Sequence, residues 1–244
     1  MAEMDGKTLQ MLVALAKQKT PVKLVNAYKS YPVSHEAAIL SLSKSGLVRV
    51  QTHKHQILCL YREQNTTLIG QAFPGYIKAH VENLDLVHLT ADLGRFQYSP
   101  EPFTARETAR VTPRDVIPVW VTIKETGFRI RCELSDISLE GLAFLLPVEY
   151  YVPNRFRRGA EVLVTFELPA IGSGQPTEVR GQGAIRNTMG AAGLQKKRIG
   201  VRLRYQNPQN FVVSQFIQMR IQELLREMDM SFVGLTRLSR NDPS

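Results

Sequence analysis

Residues 129–146 read Arg-Ile-Arg-Cys-Glu-Leu-Ser-Asp-Ile-Ser-Leu-Glu-Gly-Leu-Ala-Phe-Leu-Leu, two β-prone runs around a polar hexapeptide. Arg129–Leu134 and Gly141–Leu146 are strand candidates, and Asp136–Gly141 between them has the form D-x-S-x-x-G. In an extended segment residues i and i+2 share a face, so Asp136 and Ser138 offer a carboxylate and a hydroxyl together. Gly141 admits a positive φ or a close backbone approach. One reading is an Asx turn joining two strands. The other is a polar binding edge.

The pattern continues outward. Val116–Thr122 alternates, with Val119, Val121 and Ile123 on one face, and Glu161–Leu168, Gln182–Ile185 and Ile199–Tyr205 are further strand candidates. Six or so strands over about a hundred residues suit a small closed barrel, which removes exposed edges. Trp120, the single tryptophan, is expected in its core. Asn207-Pro208 reads as N-cap and first residue of a helix. Its apolar stripe is Ile217, Ile221, Leu224, Leu225 and Met228, expected to pack on the barrel, and residues 231–244 read as a tail.

Upstream, Pro100 and Pro102 fix an extended segment that marks a domain boundary, giving domains 1–98 and 99–230. The first domain opens with a helix carrying Leu9, Leu12, Val13 and Ala16, ended by Pro21. Val22–Val25, Ala38–Leu42, Gln56–Leu60, Thr67–Ile69, Tyr76–Val81 and Leu86–Thr90 are then read as short strands of a β-barrel or sandwich. The fold class expected is mainly β: two small β-barrel domains, the second with a C-terminal helix.

Composition narrows the function. The chain has 244 residues, a net charge of +9 and 43% apolar residues, ordinary for a globular protein with a core. No run approaches the ~18 apolar residues of a membrane span, and the acidic N-terminus lacks a signal-peptide core, so a cytoplasmic location without membrane insertion is expected. Cys59 and Cys132 lie far apart and outside any C-x-x-C frame, which excludes a zinc ribbon or a disulfide scaffold. His53 and His55 would share one face of an exposed strand, with His35 isolated from them. A metal would need a third ligand that no sequence signal supplies, so no metal site is expected. No nucleophile elbow, Walker A motif or dinucleotide fingerprint occurs, so neither an enzyme nor a cofactor is expected. Residues 1–98 hold 8 Lys and 3 Arg, whereas residues 99–244 hold 3 Lys and 17 Arg. Arginine's planar fork suits phosphate and stacks on flat rings, so that bias points to the second half.

Arg106 and Arg110 give R-x-x-x-R just past the boundary, a spacing that is common by chance in an arginine-rich chain. Its order matters more. R-x-x-x-R, an intervening strand pair, then D-x-S-x-x-G resembles the PilZ domain, a small β-barrel receptor for cyclic di-GMP. The likeness covers roughly residues 103–228, and strand pattern and position make the first half similar to the β-rich domain of flagellar-brake proteins. The resemblance implies that Arg106 and Arg110 wrap the ligand through phosphate, guanine and stacking contacts. It implies that Asp136 accepts from a guanine edge, that Ser138 adds a contact, and that Gly141 lets the backbone come close. Arg114 and Arg186 are candidates for further contacts.

The resulting expectation is a cytoplasmic bacterial effector that couples cyclic di-GMP binding to a conformational or partner-binding change in motility or biofilm control. Its protein partner is not identifiable from the sequence. Two alternatives stand beside it: a nucleic-acid-binding β-barrel and a PilZ scaffold without ligand. The basic residues are not interleaved with a row of aromatics, which counts against nucleic acid.

Overall fold

The computed structural model describes residues 6–43, 45–70, 73, 75–100, 108–170, 174–190 and 195–240. The chain divides into two compact units. One comprises Met1–Tyr28, Pro32–Arg106 and Leu224–Ser244; the other comprises Lys29–Tyr31 and Glu107–Glu223.

The first unit opens with α1 (Gly6–Gln18), which buries Leu12 and Leu15. Six strands follow: β1 (Val22–Tyr28), β2 (Tyr31–Leu42), β3 (Val48–Gln51), β4 (Asn65–Ile69), β5 (Tyr76–Asp85) and β6 (Thr90–Ser99). They close a barrel in the order β1-β2-β3-β6-β5-β4. Alternation drives it: in β1, Val22, Leu24 and Tyr28 are buried while Lys23 and Ala27 are exposed.

Two strands expected in this half do not form. Gln56–Leu60 lies inside a helix, α2 (Lys54–Glu63). All five of those residues are buried, and a short apolar run buried on every side carries no period to tell helix from strand. The ends decide it: the His53 side chain caps the first turn by accepting from the His55 amide, and Gln64 terminates the helix in the left-handed region at φ 56°. Asn26 pins α2 to the barrel. Its Oδ1 accepts from Gln56 Nε2 at 2.6 Å and Thr66 Oγ1 at 2.8 Å, and its Nδ2 donates to Glu63 Oε2 at 2.6 Å. Leu86–Thr90 is the turn between β5 and β6 with only Thr90 in a strand, since Asp85 Oδ1 accepts from the amides of Val87 and His88, both at 2.9 Å.

His53 and His55 are therefore at the start of a helix, not on an exposed strand, and His35 of β2 stacks on His53 with ring centroids 4.2 Å apart. Burial first, and the neighbouring charges second, hold His35 and His53 below the usual histidine range.

The second unit holds β7 (Pro118–Ile123), β8 (Arg129–Ser138), β9 (Gly141–Pro147), a 3₁₀ turn at Val148–Tyr150, β10 (Glu161–Leu168), β11 (Thr177–Gly190) and β12 (Lys196–Tyr205). They close a second barrel in the order β10-β11-β12-β9-β8-β7. Val119, Val121 and Ile123 point inward as their alternation requires. The same alternation turns Trp120 outward, 41% exposed, where the Arg129 guanidinium lies 4.7 Å from its ring; the core position expected for it is not found.

A long helix, α3 (Gln209–Arg240), completes the chain. Leu224 and Met228 of the expected stripe are fully buried, and Ile217 nearly so. The helix does not give way to a tail at residue 231 but runs to Arg240, with Phe232 packed against the first unit's core.

Burial pushes the thiols of Cys59 and Cys132 up to about 12. Both are therefore expected to resist an aromatic disulfide reagent at pH 8 in the native protein and to react once denaturant is added. Rapid native reaction of either would contradict its place in the core.

Candidate functional site

The site is built on an irregularity in β8. Leu134 pairs with Phe144 and Asp136 with Ala143, so Ser135 is an extra residue, a β-bulge. Upstream of it Cys132 and Leu134 face the interior; downstream it is Ile137, fully buried, that takes the inward place. The bulge thereby turns Asp136 to the side of the strand that Ile137 leaves.

Ile137 also draws in the segment bearing Arg110. Val111 and Ile137 exchange backbone hydrogen bonds, each 3.0 Å, as an isolated antiparallel bridge. In this antiparallel bridge Arg110 stands opposite Ser138, with Asp136 its diagonal neighbour on the same face, and Arg110 Nη1 reaches across to donate to Asp136 Oδ1 at 3.0 Å. From β12, Arg198 Nη2 donates to the other oxygen, Oδ2. The Asp136 side chain is 2% exposed, whereas those of Arg110 and Arg198 are 25% and 23% exposed. One covered carboxylate thus orients two guanidiniums whose outer edges meet solvent.

Ser138 and Gly141 of the hexapeptide are buried, whereas Leu139 and Glu140 between them are exposed. Ser138 Oγ donates to the Gly141 carbonyl at 3.1 Å, and the Tyr205 hydroxyl donates to the carbonyls of Ser138 and Gly141 at 3.0 and 3.3 Å. Burial raises the Tyr205 phenol well above the usual tyrosine range, so this clamp stays protonated. Gly141 is needed for close approach, not for a positive φ. A Cβ there would stand 2.1 Å from the Val201 carbonyl oxygen of β12.

Arg110, Asp136, Ser138 and Gly141 are therefore brought together around the β8–β9 turn, and Arg106 lies outside the described residues. Arg186 lines an open groove with Glu140, Arg202, Arg204 and Tyr205, bordering the same turn. Arg114 is elsewhere, in a groove with Asp115, Phe216 and Glu223. Arg198 is the residue that sequence reasoning missed. Nothing local in the sequence ties it to an aspartate 62 residues away.

Residues 106–219 match the family model described as PilZ domain. No curated protein matches the chain. Among solved structures, the chain is similar to an inhibitor of motility from Bacillus subtilis (MotI/DgrA), at 12% identity and TM-score 0.43, covering 84% of this chain and 97% of that one. A complex of K. pneumonia MrkH with c-di-GMP aligns at 10% identity and TM-score 0.41, covering 92% and 98%. Escherichia coli YcgR in complex with c-di-GMP aligns at 15% and 0.39, covering 91% and 93%.

Proposed function

Residues 106–219 being a PilZ domain, we propose that the chain is a non-enzymatic receptor for cyclic di-GMP, with Arg110 and Asp136 at the centre of its binding surface. The observation that carries the reading is the pairing of Arg110 with Asp136, which unites the two sequence motifs on one patch. Cyclic di-GMP carries two phosphodiester charges and two guanines. Arg106, Arg110 and Arg198 against the single carboxylate of Asp136 leave an excess of two positive charges to meet them.

A guanidinium has five N–H donors, and the Asp136 contact of Arg110 uses one. The others suit a phosphodiester or the O6/N7 edge of guanine in bidentate fashion. Arg106, four residues earlier, adds a second fork. Asp136 acts first by holding the two arginines in register. If the ligand draws Arg110 away, the freed Oδ1 accepts from the N1–H and N2–H edge of a guanine. Ser138 and Gly141 shape the turn through the contacts described above. Arg186 would extend the surface along its groove, and Arg114 has the weakest geometric claim. A conformational or partner-binding change bearing on motility or biofilm formation is the output that fits such a receptor.

Calorimetric titration with cyclic di-GMP, with GTP and cyclic di-AMP as controls, tests the reading. Selective binding with a Kd of roughly 1 μM or tighter is expected. No heat and no thermal shift at high ligand would refute it.

A further inference from the structure

The first unit holds a second cluster of chemically capable side chains that the proposed receptor activity does not use. His35, His53 and His55 each offer an imidazole nitrogen, and these three atoms lie within 4.8 Å of one another. The rings are mutually packed: His53 and His55 meet edge-on with centroids 4.7 Å apart, and His35 and His55 at 6.1 Å.

We propose that His35, His53 and His55 form a binding site for one divalent transition cation of the zinc class. Three imidazoles are the nitrogen-rich, borderline-soft donor set that such cations prefer over magnesium or calcium. They supply three ligands of a tetrahedron and leave the fourth position to water or another small donor.

The scaffold supports the juxtaposition from several sides. Thr52, immediately before His53, donates its hydroxyl to the Glu36 carbonyl, immediately after His35, at 3.0 Å. Ala38 and Gln51 are paired in the β2–β3 ladder just beyond. The two histidine-bearing segments are thus tied by a backbone ladder and by one side-chain bond, neither of which involves a histidine. His55 is 8% exposed, and its Nε2 is hydrogen-bonded at 2.8 Å to Asp229 Oδ1 on α3. With Nε2–H donating to that carboxylate, Nδ1 keeps its lone pair, and an imidazole oriented by a carboxylate is the usual support for a metal ligand. Asp229 also receives Lys54 Nζ at 2.5 Å, which offsets that neighbouring charge.

Metal–nitrogen bonds of about 2.0–2.1 Å place tetrahedral ligand atoms roughly 3.4 Å apart. Binding therefore shortens the separations between the three nitrogens by at most about 1.4 Å, within reach of side-chain rotation because His53 is exposed and His35 half-buried. Ligation through His53 Nδ1 would give up the 3.2 Å bond that this atom accepts from the His55 amide, whereas ligation through Nε2 would keep it.

The test uses the full chain, expressed without a histidine tag, stripped with chelator and titrated with zinc chloride against a chromophoric competitor. One zinc per chain is expected. His53→Ser, which keeps a helix-capping side chain, should lower affinity at least a hundredfold. Asp229→Asn should lower it about ten- to a hundredfold with stoichiometry retained. Cobalt(II) added to the unmutated chain should give the intense visible absorption of a tetrahedral site, which settles coordination even if a variant misfolds. Zinc binding that is absent from the unmutated chain, or equal in folded His53→Ser and His35→Gln variants, would overturn the proposal.

Discussion

Arg110→Ala is expected to weaken cyclic di-GMP binding about ten- to a hundredfold, because each charge-assisted hydrogen bond contributes roughly 1.5–3 kcal/mol and this side chain makes at least one. The protein itself should tolerate the change. Asp136 keeps Arg198, so the covered carboxylate is not left alone. Arg110→Lys separates charge from shape: an ammonium restores attraction to phosphate but not the bidentate fork, so recovery should be partial. Asp136→Ala should cause a similar loss although it removes a negative charge from a site for an anion, since both guanidiniums lose the group that aims them. That sign is diagnostic. A nucleic-acid-binding barrel would tolerate Asp136→Ala or bind more tightly, with affinity falling steeply in salt. Arg106→Ala should behave as Arg110→Ala. Calorimetry on folded Arg110→Ala and Asp136→Ala proteins showing unchanged affinity would sink the assignment.

The second large effect is on stability. Phe144 is fully buried in β9, between Leu134 of β8 and Ile199 of β12 in the ladder. Truncating such a ring removes its burial and leaves a cavity that close-packed strands cannot fill, at a cost of about 3–5 kcal/mol. For a chain of this size the melting temperature should fall on the order of 10 °C. Trp120→Ala is the contrast: a larger side chain, 41% exposed on the outer face, whose loss should cost about 1 kcal/mol or less. Urea unfolding followed by a probe in the second unit checks both. Equal midpoints for Phe144→Ala and the parent would mean that β9 does not line the core.

What could be read in the chain divides by range. The alternation of Val119, Val121 and Ile123 is a local signal, and it held in the structure. The same parity places Trp120 outside, against the core position expected for it. The Gln56–Leu60 run was illegible because complete burial erases periodicity, and the cap that settles it comes from a histidine, an uncommon capping residue. The motif Asp136–Gly141 was visible as letters, but its partner Arg198 arrives through strand register, which sequence spacing does not encode. His35 met His53 and His55 in the same way, across a strand pair whose second member, the four-residue β3, went unread.

A β-strand has a reading frame of two, and Ser135 shifts it. Before that residue the even-numbered side chains belong to the interior; after it the odd-numbered Ile137 does. Were Ser135 paired as an ordinary member of the ladder, the first frame would run on, with Asp136, Ser138 and Gly141 in their original spacing. The aspartate would then be directed into an apolar core and the isoleucine out of it, two errors from one missing bulge. The spelling of the hexapeptide is therefore not the unit on which selection can act by itself. What has to be inherited is the motif together with the phase of the strand that carries it.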